Sequence, residues 1–84
     1  MTTEKLTTHT ASEIESFDAV TRRYAHEWNS RVERAERIAG CALWWEPLSR
    51  EHGRIVMHGA DGRDEVYGRD EVEALDRLIR GRVS

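Results

Sequence analysis

The residues best equipped for chemistry lie close together. From Met57 to Gly68 the chain reads MHGADGRDEVYG, with Asp61, Asp64, Glu65, His58 and three glycines in one short run. With Asp70 and Glu71 just beyond, this is raw material for a calcium loop, which needs carboxylates at alternating positions, a central glycine and a closing glutamate. The acidic residues do not keep that spacing, and Arg63 and Arg69 stand among them and offset their charge. The stretch meets a simpler requirement: Asp61-Gly62 between two strand-like runs is a strong hairpin signal, because glycine takes a positive φ without steric cost. It reads as a turn.

Other chemistries find less. Cys41, His26, His52 and His58 are the available soft ligands, but structural zinc sites show paired ligands close in sequence and these are scattered. The segment HEWNS at His26 begins like a His-Glu-x-x-His helix and has Ser30 where the second histidine belongs. A thiolate nucleophile would need Cys41 activated by His52 or His58, yet Cys41 falls on the apolar set of its strand, where cysteine behaves as a small hydrophobe. The glycines at 53, 59, 62 and 68 punctuate strands and turns rather than form a phosphate loop. No catalytic residue, metal or other cofactor is expected.

The elements that would position these side chains follow from periodicity. Residues 1–10 are Thr-rich and aperiodic, which predicts a frayed tail ahead of a single α+β domain over residues 11–84. Ser12 and Glu15 have capping-box spacing. From Ile14 to Ala39 the apolar residues Phe17, Val20, Tyr24, Ala25, Trp28, Val32, Ala35 and Ile38 recur at helical spacing, so one long helix ending at Gly40 is predicted. Charged pairs four apart, Asp18 with Arg22, Arg23 with Glu27 and Glu33 with Arg37, mark its solvated side.

The period then changes to two. Cys41, Leu43 and Trp45 form one apolar set and Ala42, Trp44 and Glu46 the mixed one, so Trp45 faces the core and Trp44 does not. Ile55 and Met57 repeat the pattern against Arg54, Val56 and His58, and DEVYG returns after the turn. Asp70 and Glu73 open a second helix, with Val72, Leu75, Leu78 and Ile79 inward and a stop at Gly81. The expected fold is α-β-β-β-α: a long N-terminal helix, a three-stranded antiparallel meander and a C-terminal helix.

Composition bounds the function. Thirteen Lys plus Arg against sixteen Asp plus Glu leave a net charge of -3, the wrong sign for general attraction to phosphate, which argues against nucleic acid as a partner. No apolar run reaches the ~18 residues of a membrane span, and the lone cysteine fits a cytoplasmic location. Eighty-four residues bury a thin core, so a partner surface would help. Two surfaces are expected to supply one. Trp44, Val56, His58 and Tyr67 share a sheet face, and Trp and Tyr are enriched at the energetic centres of interfaces. A helix of about 28 residues, roughly 40 Å at ~1.5 Å per residue, would overhang so small a sheet, leaving Ile14, Phe17, Val20 and Tyr24 for a partner or a second copy; alternatively the helix breaks at Asn29-Ser30, both weak helix formers. The expected function is a non-catalytic module that binds a protein partner: an adaptor, an antitoxin or a phage or mobile-element inhibitor. The alternatives are a homodimer or larger assembly built through the long helix, and a small-ligand binder or minor enzyme using His58 and the aromatic face.

Overall fold

Helix caps, more than the apolar stripe, decide where the N-terminal half turns. In the computed structural model, which describes residues 3–83, Thr10 caps α1 (Ala11–Ser16) by accepting the Glu13 N–H at 3.2 Å. Asp18 caps α2 (Ala19–Ala39) by accepting the Thr21 N–H at 3.0 Å. Phe17 between them is extended, with φ -79° and ψ 156°. The long helix is therefore two, broken before Asp18 and not at Asn29-Ser30, which run on inside α2. The helix starts at Thr10 rather than Ser12, because the threonine hydroxyl reaches the orphan amide first in the chain. Asp18 uses its carboxylate for this cap. The side-chain pairs four apart that close are His9 with Glu13 at the start of α1, Arg69 just before α3 (Glu71–Val83) with Glu73, and within α3 Arg77 with Glu73 and Arg80 with Asp76.

The sheet has four antiparallel strands in sequence order: β1 (Glu4–Lys5), β2 (Leu43–Ser49), β3 (His52–Gly59) and β4 (Gly62–Gly68). The expected meander is β2 to β4, and β1 is an addition to it. Three of the first ten residues explain why a frayed tail does not describe residues 4–10; Met1 and Thr2 lie outside the described residues. Glu4 and Lys5 pair with Trp45 and Trp44, and Leu6, 4% exposed, donates its N–H to the Leu43 carbonyl and sits in the core. Asn29 then binds the His9 backbone on both sides, accepting its N–H at 2.9 Å and donating to its carbonyl at 2.8 Å. The Trp28 indole donates to the Thr7 carbonyl. Two residues read as helix weakness or core thus tie an extended segment to α2.

The hairpin between β3 and β4 falls where Asp61-Gly62 predicts, with Gly59 opposite Gly62. Gly62 alone there takes a positive φ, 110°, so the turn places its glycine after the bend instead of inside a two-residue mirror-image turn.

One core lies between the sheet and the helices. Val32 and Ala35 of α2, Leu43, Ile55 and Met57 of the sheet, and Ala74, Leu75 and Leu78 of α3 are buried together. Within α3 the inward stripe differs from expectation. Ala74 is buried and Val72 is exposed, because α3 lies so close to the end of β4 that a side chain on Gly68 would come within 2.6 Å of the Ala74 nitrogen. Gly81 stays inside the helix.

Candidate functional site

Strand alternation divides the sheet into two unlike faces. Leu43, Trp45, Ile55, Met57 and Val66 turn towards α2 and α3, and all of them belong to or pack against the core. The C-terminal helix therefore covers the Trp45 face. The opposite face holds Trp44, Glu46, Arg54, Val56, His58, Arg63, Glu65 and Tyr67, as their pairing across the strands requires. Among the described residues none from a helix borders its hollow of about 400 Å³, which is lined by Thr3, Trp44, Glu46, Val56, His58 and Arg63.

The four residues expected to share this face do so. Their environments differ. Val56 is buried at 3% exposure, directly opposite Trp44, so it floors the face and offers little contact area. Trp44 is 37% exposed and Tyr67 41% exposed. His58, exposed, lies opposite Arg63 near the hairpin end.

Between Trp44 and Tyr67 stands a charged network that the apolar reading of the sequence does not reveal. The Arg54 guanidinium donates from two nitrogens to one oxygen of Glu46, and from the third to Glu65 at 2.8 Å and to the Tyr67 hydroxyl at 3.1 Å. That hydroxyl in turn donates to Glu65 at 2.8 Å, and Arg63 pairs with the other Glu65 oxygen at 3.2 Å. His52 stacks on Tyr67 with the rings 5.5 Å apart, and Arg54 lies 5.9 Å from the same ring. Bonding to the Tyr67 hydroxyl, and then the charges of Arg54 and Arg63, hold the Glu65 carboxyl below the usual range. Arg54 is pushed further above its ordinary value by the same hydroxyl and by Glu46. The signal in the sequence was parity: Glu46, Arg54 and Glu65 alternate onto one face with opposite signs on neighbouring strands.

The network leaves the face close to charge-balanced and anchors the Tyr67 ring, with the exposed Trp44 indole on the same face. Such an arrangement can bind another surface, and the network's one hydroxyl, that of Tyr67, is engaged by Glu65 and Arg54. Cys41 packs against the helix-side core while His58 is on the open face, so the sheet separates them. Among the described residues no three His, Cys, Asp or Glu side chains group to hold a metal ion.

The second expected surface is split, with two of its four residues folded away and two open. Ile14 is buried at 7% exposure, and Phe17 is half-buried against the His9 ring, edge to face at 5.4 Å. Val20 and Tyr24 remain open at 64% and 67%. The break at Phe17 accounts for this, since it folds the first helical turns back on the N-terminal segment. Because α1 and α2 are separate helices, the unbroken rod of roughly 40 Å expected from the apolar stripe does not form, and less of the stripe overhangs the sheet. No helix among the described residues is long and apolar enough to cross a membrane. Comparisons of the chain with protein-family models, with curated proteins and with solved structures give no match.

Proposed function

We propose that the chain is a non-catalytic protein-interaction module, acting in the cytoplasm by laying the open sheet face against a protein partner in the manner of an adaptor, an antitoxin or a phage or mobile-element inhibitor. The observation that carries this reading is the one-sided fold: both long helices cover the Trp45 face, and the other face presents Trp44 and Tyr67 at 37% and 41% exposure on an ordered polar frame. Rigid aromatic rings lose little conformational freedom on binding and displace much water, which is why they concentrate interface energy. Frame rigidity lowers the ordering cost further.

Capture from the native host tests it. Wild-type chain and a Val20→Ser, Tyr24→Ser variant should retain the same protein, whereas Trp44→Ala should lose it. Retention by Trp44→Ala with loss in the helix variant would transfer the site to α2. Val20 and Tyr24, one turn apart and open, support a second reading in which two copies pair through that helix. Light scattering over a range of concentrations separates the two, since pairing through α2 predicts a dimer that the double serine variant abolishes.

A further inference from the structure

At the β1 margin of the sheet, on the helix side, a cleft of about 510 Å³ opens between the first strand, α2 and the start of α3. The indoles of Trp28 and Trp45 and the carboxylates of Glu4 and Glu71 border it, with Thr7. Both rings are fixed. Trp28 spends its N–H on the Thr7 carbonyl at 3.0 Å, and Trp45 lies over Gly53 so closely that a side chain there would collide with it. What remains of Trp28 for a ligand is therefore carbon surface and π face.

The charged side chains that face into this cleft, Glu4 and Glu71, are both acidic. Burial, and then the nearby charges of Glu4 and Asp70, push the Glu71 carboxyl above the usual glutamate range. Among the described residues no arginine, lysine or histidine forms an ion pair with Glu4 or Glu71. Lys5 also borders the cleft, but it pairs opposite Trp44, so alternation directs its side chain to the open face. An anion would meet two carboxylates, and a neutral apolar ligand would strip them of water without replacing its hydrogen bonds. A cation relieves both, and indole faces attract cations through their quadrupole.

We propose that this cleft binds an organic monocation, an alkylguanidinium or alkylammonium group, against Trp28 and Trp45 and between Glu4 and Glu71. The volume suits a small molecule or one basic side chain. The proposal goes beyond the open-face reading and does not rest on it.

Replacing Trp44 by Phe leaves Trp28 and Trp45 as the only indoles, so fluorescence of that variant reports on the cleft alone. Ethylguanidinium should give a saturable change, the neutral isostere ethylurea none, and Glu71→Gln should weaken the response about tenfold, as for loss of one charged hydrogen-bond partner. In the wild-type chain, followed by NMR, saturating ethylguanidinium should also lower the titration midpoint of Glu71. The peptide acetyl-Gly-Arg-Gly-amide identifies the source: tighter binding than ethylguanidinium assigns the site to a partner's basic side chain, weaker binding to a free small cation. An equal response to ethylurea, an undiminished one in Glu71→Gln, or a Glu71 midpoint that does not move overturns the proposal.

Discussion

Arg54 is the hub of the open face, and its partners give it a pH signature. Because the Glu65 carboxyl is held below its unfolded value, first by the Tyr67 hydroxyl and then by Arg54 and Arg63, its contribution to stability is complete above the ordinary glutamate range of about 4.3 and is lost as pH falls through the lower folded value. Arg54→Met should therefore lower the thermal midpoint at neutral pH, and the gap from wild type should close on acidification. Glu71 has the opposite sign. Its folded value is raised by burial and by Glu4, so ionisation costs stability as pH rises from the ordinary glutamate range through the folded value. Glu71→Gln should raise the midpoint at neutral pH and lose that advantage at low pH, where the wild-type group is protonated in both states. Melting curves across pH check both, and parallel curves for wild type and either variant would contradict the assignment.

The N-terminal segment is an element of the fold that looks expendable in the sequence. Leu6→Ala should cost about 2–5 kcal/mol, as for other buried leucines, and each ~1 kcal/mol moves the midpoint of a domain this size by about 4–8 °C. A chemical-denaturation series measures it, and a loss under 1 kcal/mol would show that the segment does not hold. Asn29→Ala, which removes both bonds to His9, should cost about 1–3 kcal/mol. Periodicity made much of the rest legible. Spacing of 3.6 placed Ala25, Val32 and Ala35 inward, and alternation placed Trp45 in and Trp44 out. Strand β1 was not legible because two residues display no period, and Asn29, which ties down the segment after it at His9, lies far away in sequence and is a weak helix former by propensity. The break before Asp18 had a local signal, an aspartate three residues before Thr21, but an unbroken apolar stripe overrode it.

Over the molecule as a whole, two helices on one side of four strands make a sheet whose faces serve different ends. Leu43, Ile55 and Leu75 build the core on one, and the other is closed over Val56 by Trp44 and charged neighbours. Parity in the sequence puts Glu46, Arg54, Glu65 and Tyr67 on one face, but which of them pair depends on a cross-strand register that single positions do not reveal. One comparison bears most directly on the open face: the dissociation constant of the captured partner for wild type and for Trp44→Ala, with the melting temperature of each recorded. An interaction face predicts binding weakened by about tenfold or more at a nearly unchanged melting temperature. Full-strength binding by Trp44→Ala, or a melting temperature lowered enough to explain the loss, would contradict it.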